Sequence, residues 1–376
     1  MIHRRLEPAI RGALTSERRK VVVLQGPRQV GKTTLLERLV EGLDGRVEVL
    51  NGDFLDDQAL LRPERAALAR LVGGLDYLFI DEAQNVPDVG RVLKLLHDHH
   101  PQVRVLATGS SSFDLNERVG EPLTGRRQTF VMHPVSYGEL EPRPTTESGV
   151  LEHGLLFGGY PEVLTIADRE TKIAHLRELV ADYLLKDILH LVGTGRARLY
   201  DLLRLLALQL GSEASLSELA QGAKLDAKTV ARYLDLLEEC YVIVQLQGFS
   251  RNLRKEIRKA RKIYFVDLGI RNAILQAFGP LEMRNDLGGL RENYLIVERM
   301  KRNAQAGIDA RYHFWRTYDQ QEIDLIEEDQ TGLHAFEFKL GRGRDSVPKL
   351  WRETYPESST EVITKASLGE FLRVPE

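Results

Sequence analysis

The order of apolar and polar residues separates the chain into a strand-rich first part and a helix-rich middle. The runs Val21–Gln25 and Tyr77–Ile80 are short, apolar and followed by turn residues or acids, which is typical of buried parallel strands. Residues Thr33–Leu43 have the apolar spacing of a helix. After about residue 150, apolar residues recur every three or four positions, so this region is predicted to be helical.

The pattern changes again at Ser215. From here it predicts a helix, a turn around Gly222, a second helix from near Asp226, and strands. The last hundred residues predict the order helix, three strands, helix and strand, because alternating apolar and polar positions mark each strand. These last elements are predicted over residues 287–303, 310–317, 321–329, 333–341, 346–355 and 360–364.

Composition narrows the class of protein. The 376 residues are 43% hydrophobic and 28% charged, which indicates a globular chain of two or three domains of about 100 to 200 residues each. The formal net charge of -3 gives no overall attraction for nucleic acid, so only local basic clusters could bind it. The single cysteine, Cys240, excludes an internal disulfide and any multi-cysteine metal site. Since no apolar run is long enough for a signal peptide or a membrane span, we expect a cytoplasmic protein without a membrane partner.

A phosphate-binding loop is predicted between the first strand and the helix after it. The pattern G-x-x-x-x-G-K-[ST] is present, and its glycines let backbone N–H groups close around phosphate oxygens. The helix N-terminus adds partial positive charge. We expect Lys32 to reach the β- and γ-phosphates of ATP and Thr33 to bind Mg²⁺. The residues expected to contact ATP are Gly26, Pro27, Arg28, Gln29, Val30, Gly31, Lys32, Thr33 and Thr34.

Acidic residues at the end of the second predicted strand complete this site. Asp81 and Glu82 follow the apolar run, and at the carboxyl edge of a parallel sheet they would face the phosphates. We expect Asp81 to hold Mg²⁺ through water and Glu82 to orient or deprotonate the attacking water. The two acids could instead only cap the following helix. Thr108 and Ser110, just past another strand, are expected either to sense the γ-phosphate or to form a turn.

Arg126 is a candidate arginine finger. It precedes Arg127 in the sequence LTGRR, and in ring-forming ATPases such a residue reaches a neighbouring subunit's nucleotide and neutralises transition-state charge. This hypothesis predicts a homo-oligomer, with a ring as one form. The alternative is that these paired arginines lie on a solvated surface.

Six short motifs occur in the order seen in a large family of prokaryotic AAA-type ATPases with a conserved C-terminal domain of unknown function. They are GPRQVGKTTL, LFIDEAQ, ATGSS, LTGRR, HPVSYGEL and GGYPE. The chain resembles this family over nearly its whole length, and the family is similar to archaeal ATPases allied to the signal-transduction ATPases. The resemblance implies ATP binding and says little about cellular role.

The helices and strands after Ser215 resemble a winged helix, whose second helix enters the major groove in DNA-binding versions. The densest basic run of the chain falls where the wing should be. Winged helices also serve purely in protein interaction, and a basic run is often only a solvated face. The residues expected near DNA are Lys224, Lys228, Arg232, Arg254, Lys255, Arg258 and Lys259.

The C-terminal element order resembles the core of the PD-(D/E)xK nucleases, including Holliday-junction resolvases. Their chemistry needs carboxylates that hold one or two Mg²⁺ and a lysine that polarises water. By this resemblance Asp324 is the bridging ligand, and Glu337 with Lys339 forms the E-x-K pair. Glu292 adds a carboxylate from the helix, with Glu298 as the alternative. The E-x-K pattern also arises by chance, and such domains persist as binding modules.

Together these features predict an α/β chain of four parts. A P-loop, AAA+-like ATPase domain with a parallel sheet is expected at residues 1–149 and a helical lid at 150–210. A winged-helix domain is expected at 211–270, and an α/β PD-(D/E)xK nuclease-like domain at 271–376. Trp315 is expected in the core of the last part rather than as a platform for a base.

The leading interpretation is an ATP-binding and ATP-hydrolysing protein that acts on DNA, including branched or junction DNA, with ATP and Mg²⁺ as cofactors. The winged helix and the nuclease-like domain would contact the DNA. The alternative is an ATP-dependent signalling or defence switch whose C-terminal domains bind protein partners.

Overall fold

The computed structural model of the protein describes residues 2–110, 123–140, 147–184, 196–251, 261–339 and 347–375. It divides into two compact units. The first comprises Met1–Pro134 with Glu239–Tyr241, and the second comprises Val135–Glu238 with Val242–Glu376. Within the residues described, no helix is both long and apolar enough to cross a membrane.

The first unit is built on a parallel sheet of five strands. These are β1 Val21–Gln25, β2 Val47–Asn51, β3 Tyr77–Asp81, β4 Arg104–Gly109 and β5 Arg127–Val131. They lie in the order β2-β3-β4-β1-β5, and every neighbouring pair is parallel. All residues of β1 are buried, as expected for a central strand covered on both faces. Both strands predicted from apolar runs are therefore confirmed.

The core of this unit forms where alternate residues of β1, β3 and β4 point to the same side of the sheet. Val23, Ile80 and Ala107 belong to this cluster, which also contains residues of the helices Arg65–Leu71 and Val89–His99. Other helices in the described part of the unit are Leu6–Thr15, Lys32–Glu41 and Leu55–Leu60, with a 3₁₀ turn at Ala83–Asn85. The packed sheet thus fixes the positions of the loops that follow its strands at the carboxyl edge.

The beginning of the second unit is helical, which confirms the pattern predicted after residue 150. The helices described there are Tyr137–Leu140, Glu147–Phe157, Pro161–Thr165, Arg169–Glu178 and Arg196–Leu208, and a π-helical segment covers Leu179–Leu184.

Two helices, Leu216–Ala223 and Ala227–Glu239, form the predicted helix–turn–helix. The turn begins at Lys224, which takes the left-handed conformation with φ of 52° and ends the first helix. The turn lies two residues after its predicted position around Gly222, because this glycine is still inside the helix. A Cβ there would come within 2.7 Å of Leu205 Cδ1, so glycine permits the close approach of a packed side chain.

The second unit also contains a mixed sheet of six strands in the order β11-β10-β9-β8-β6-β7. The strands are β6 Ile243–Gly248, β7 Arg261–Phe265, β8 Arg311–Arg316, β9 Glu322–Asp329, β10 Gly332–Phe338 and β11 Ser359–Ile363. Neighbours are antiparallel except β10 with β11 and β6 with β8. The strands after the helix–turn–helix therefore share one sheet with the C-terminal strands.

The predicted order of helix, three strands, helix and strand is confirmed in the C-terminal region. The first helix is Leu287–Gln305 and the second is Lys349–Thr354. Shorter helical segments lie at Leu268–Leu275, Leu281–Met283 and Leu368–Leu372. Because β10 and β11 are parallel, a crossover through the second helix joins them.

An aromatic cluster packs the second C-terminal helix against the sheet. Trp315 of β8 is fully buried, and its ring meets that of Trp351 edge-on at a centroid distance of 5.4 Å. Phe249 and Tyr355 extend the same cluster. The expectation that Trp315 is a core residue is confirmed.

Candidate functional site

The loop after β1 has the backbone conformation that a phosphate cradle requires. Gly26 and Gly31 have φ of 150° and 93°, a region that favours glycine. A Cβ at Gly26 would lie 2.2 Å from the carbonyl oxygen of Met132, so no larger residue fits. Gly31 is the N-cap of the helix Lys32–Glu41, whose first N–H groups therefore open onto the loop.

Lys32 is buried against the loop that precedes it. Its Nζ donates to the carbonyl oxygens of Gly26 and Pro27, each at 2.9 Å, and only 5% of the residue is exposed. These bonds hold the ammonium beside the backbone groups that would bind phosphate.

Asp81 joins the loop helix to the sheet through two hydroxyl groups. Thr33 Oγ1 donates to Asp81 Oδ2 at 2.8 Å, and Thr108 Oγ1 donates to Asp81 Oδ1. The structure thus brings together Thr33 and Asp81, the two residues expected to bind Mg²⁺. Thr108 lies within β4 rather than past its end and is fully buried, so it supports Asp81 instead of facing a phosphate.

Glu82 follows Asp81 in a left-handed conformation, with φ of 45° and ψ of 42°. Such values are uncommon for glutamate and are found at functional turns. Glu82 Oε2 accepts from Gln84 Nε2 at 2.5 Å, and the Ser110 backbone N–H donates to Gln84 Oε1 at 3.3 Å. Gln84 therefore links the candidate base to Ser110. The sequence interpretation missed this residue, although it ends the motif LFIDEAQ.

Arg126 lies at the opposite edge of the sheet from the phosphate-binding loop. Its carbonyl oxygen accepts the Val21 N–H at 2.9 Å, at the start of β1, whereas the loop follows the end of β1. A strand of this length spans roughly 16 Å. Arg126 Nε donates to Asp98 Oδ1 at 2.9 Å, and this bond is the main cause that lowers the pKa of Asp98. The structure does not bring Arg126 to the loop of its own chain.

In the second unit, Asp324 of β9 lies beside Glu337 of β10. Asp324 Oδ2 accepts the Phe338 N–H at 2.8 Å, and Lys339 Nζ donates to Glu337 Oε1 at 2.5 Å. Burial, with the nearby carboxylates of Glu292 and Glu337, raises the pKa of Asp324 to about 8. The three residues predicted as D and E-x-K are therefore brought together.

Glu292 completes this carboxylate cluster from the helix Leu287–Gln305. It accepts from Lys262 Nζ at 3.0 Å and from Tyr264 Oη at 2.6 Å. Glu298, the alternative, accepts from Lys301 Nζ at 2.7 Å. Six residues along a helix turn the side chain by roughly 120° away from the first position, so the two acids face different surroundings.

The cluster offers a cation two carboxylates rather than three. Across the described residues, no group of three or more His, Cys, Asp and Glu side chains is placed to hold a metal ion. Glu292 is engaged by a lysine and a tyrosine. Glu337 is 9% exposed, and its Oε2 is buried without a hydrogen-bond partner among the residues described. A bound cation would satisfy this oxygen, so Asp324 and Glu337 fit a divalent ion.

Comparison with known proteins divides the chain into three matched regions. Residues 18–141 match the family described as AAA domain. Residues 149–281 match a domain of unknown function, DUF8612, and residues 287–367 match another, DUF4143.

Relatives are similar to this chain over most of their length. Uncharacterized protein Rv2008c of Mycobacterium tuberculosis is 30% identical over 356 residues, which cover 94% of this chain and 76% of that protein. This chain belongs to the family of AAA-domain proteins with a DUF4143 C-terminal domain. Uncharacterized protein MJ1544 of Methanocaldococcus jannaschii is 23% identical to this AAA-domain protein over 312 residues, which cover 75% of this chain and 67% of that protein.

Among solved structures, the AAA-domain protein is similar to the Thermotoga maritima RuvB Holliday junction branch migration motor. The identity is 17% and the TM-score is 0.31, with 65% of this chain and 89% of that chain covered.

The basic residues predicted near DNA fall into two groups in the AAA-domain protein. Lys224, Lys228 and Arg232 are exposed on the helix–turn–helix. Lys228 and Arg232 are four residues apart on the second helix, so they share one face. The other four, Arg254, Lys255, Arg258 and Lys259, lie outside the described residues.

Proposed function

We propose that the protein binds ATP with Mg²⁺ and hydrolyses it at the carboxyl edge of the first unit's sheet. The contact that carries this proposal is the 2.8 Å hydrogen bond from Thr33 Oγ1 to Asp81 Oδ2. This bond brings the Thr33 hydroxyl, which follows the phosphate-binding loop, next to the Asp81 carboxylate at the end of β3. Hydroxyl and carboxylate oxygens are suitable ligands for Mg²⁺, which would neutralise charge on the phosphates during transfer.

The remaining side chains act on the phosphates and on water. Lys32 would place its ammonium against the β- and γ-phosphates. Glu82 would orient the attacking water or accept its proton, while Gln84 holds the carboxylate in place. We assign Arg126 to the site of a neighbouring subunit in a homo-oligomer, because it lies at the far edge of its own sheet.

Separate assays of ATP binding and turnover test these roles. Glu82→Gln keeps the side-chain shape and should lower turnover by roughly 10²- to 10⁴-fold, the usual contribution of a general base, while ATP still binds. Lys32→Ala should weaken binding. Lys94→Ala removes an exposed lysine of the same unit and serves as the control. Wild-type turnover in Glu82→Gln would refute the assigned base.

We further propose that the second unit acts on DNA through a nuclease-like site. The supporting observation is the meeting of Asp324 and Glu337 on neighbouring strands, with Lys339 Nζ 2.5 Å from Glu337. Asp324 and the unpartnered Oε2 of Glu337 would hold Mg²⁺, which supplies an activated water and neutralises charge on the scissile phosphate. Lys339 would orient that water.

Exposed basic side chains support contact with a nucleic-acid backbone. Lys224, Lys228 and Arg232 extend from the helix–turn–helix into solvent, where they can reach phosphates whatever the base sequence. Binding through such contacts falls steeply as salt concentration rises.

The test is binding and Mg²⁺-dependent cleavage of duplex, single-stranded and four-way-junction DNA, with and without ATP. Asp324→Asn and Glu337→Gln should each abolish cleavage and retain binding. Glu361→Gln, an exposed acid on β11, is the matched control. Binding without cleavage by the wild type would leave an ATPase that handles DNA. No binding at low salt would refute action on DNA and favour the signalling or defence switch that binds protein partners.

A further inference from the structure

A buried lysine occupies the carboxylate cluster of the second unit. Lys262 of β7 is 3% exposed, and its Nζ pairs with Glu292 at 3.0 Å and with Glu322. The ammonium also lies 5.5 Å from the centroid of the Phe314 ring. Burial alone would lower the pKa of Lys262, but the two carboxylates reverse this effect and raise it. The two ion pairs place the Lys262 ammonium inside the cluster.

One carboxylate oxygen of Glu292 already has two partners on β7. Lys262 Nζ and Tyr264 Oη both donate to its Oε1, at 3.0 and 2.6 Å. Glu337, in contrast, retains an oxygen without a hydrogen-bond partner in the described part of the chain, although 91% of the residue is buried. A cation would therefore be bound by Asp324 and Glu337, where a buried carboxylate oxygen is available.

The charges of the cluster set the number of ions it can hold. Among the described residues, four carboxylates face two ammonium groups, which leaves an excess of two negative charges when all are ionised. One divalent ion balances this excess. A second ion would require Glu292 and Glu322, and these are paired with Lys262. The cluster members are Glu292, Glu322, Asp324, Glu337, Lys262 and Lys339.

We propose that Lys262 takes the place of a second metal ion, so that the cluster binds a single divalent cation at Asp324 and Glu337. Two-metal sites place their ions about 3.5 to 4 Å apart and share a carboxylate between them. Here the ammonium occupies the position next to Glu292 that a second ion would need. The inference rests on the proposed nuclease-like site and defines its metal content.

Binding of Mn²⁺ to the full-length protein without nucleotide tests this stoichiometry. Isothermal titration and electron paramagnetic resonance should show one ion per chain, with the spectrum of an isolated Mn²⁺. Asp324→Asn and Glu337→Gln should each abolish this ion, while Asp81→Asn should leave it in place. Two spin-coupled ions in the wild type would overturn the inference, and this measurement does not depend on any variant folding.

The Lys262→Met variant then tests the lysine itself. Removal of the ammonium should release Glu292 and Glu322 and raise the stoichiometry from one ion to two. Lys349→Met, which removes an 89% exposed lysine of the same unit, should still bind one. If the wild type binds one ion and Lys262→Met also binds one, the inference fails while the proposed site stands. If the wild type binds none at Asp324, both fail.

Discussion

Replacement of Thr108 by valine should destabilise the first unit and slow ATP turnover together. Thr108 is fully buried in β4, where its hydroxyl donates to Asp81 and accepts the Glu82 N–H at 3.3 Å. Valine keeps the volume and deletes the hydroxyl. A hydrogen bond to a charged group contributes about 1.5 to 3 kcal/mol, and we expect the free energy of unfolding to fall by that amount. Asp81 also loses one of the two hydroxyls that position it.

Thr108→Ser supplies the matched control, because it keeps the hydroxyl and removes one buried methyl group. That methyl contributes about 1 kcal/mol. Urea denaturation gives the free energy of unfolding, and turnover is measured on the same preparations. We expect the serine variant to be more stable and more active than the valine variant. The reverse order, with valine close to the wild type, would show that Thr108 only fills the core and would refute its support of Asp81.

Three further predictions concern other parts of the molecule. Gly26→Ala should abolish ATP binding, since its Cβ would meet the Met132 carbonyl oxygen at 2.2 Å, and an unchanged affinity for a fluorescent ATP analogue would contradict this. Arg126→Ala and Lys32→Ala should each lack turnover but regain part of it when mixed, because one subunit supplies the lysine and its neighbour the arginine; no recovery would exclude action between subunits. The hydrogen bond from Arg284 is the main cause that holds the pKa of Asp286 at about 2, against an ordinary 3.8. The ionised Asp286 carboxylate therefore stabilises the folded protein fully above pH 3.8, and this stabilisation is lost as pH falls through 2. Asp286→Asn should therefore lower the urea midpoint more at pH 7 than near pH 2, and equal midpoints for the variant and the wild type at pH 7 would count against this ion pair.

Local chemistry made much of the molecule predictable. The phosphate-binding loop needs glycines and a lysine at fixed spacing, and the strand before it needs a continuous apolar run, so both are visible in a short stretch of sequence. Asp81 and Glu82 could be placed because strands of a parallel sheet end at one edge. The order of the C-terminal helices and strands followed from alternation along each strand in the same way.

Contacts between distant residues were not predictable. Thr108 lies 27 residues from Asp81, and Lys262 lies 30 residues from Glu292, so the order of strands in each sheet decides both pairs. The pairing of β6 with β8 also depends on how distant segments pack, and no local sequence pattern predicts it. The turn was placed two residues too early because a glycine inside the last turn of a helix looks, in sequence, like one that ends the helix.

The rate of ATP turnover with and without DNA tests the central claim most directly. Four-way-junction and duplex DNA are added at low salt to the wild type and to Glu82→Gln. We predict that DNA changes the turnover of the wild type, that the effect disappears as salt is raised, and that Glu82→Gln stays inactive throughout. Turnover that depends on Glu82 but is unaffected by every DNA substrate, with no DNA bound, would contradict an ATPase that acts on DNA.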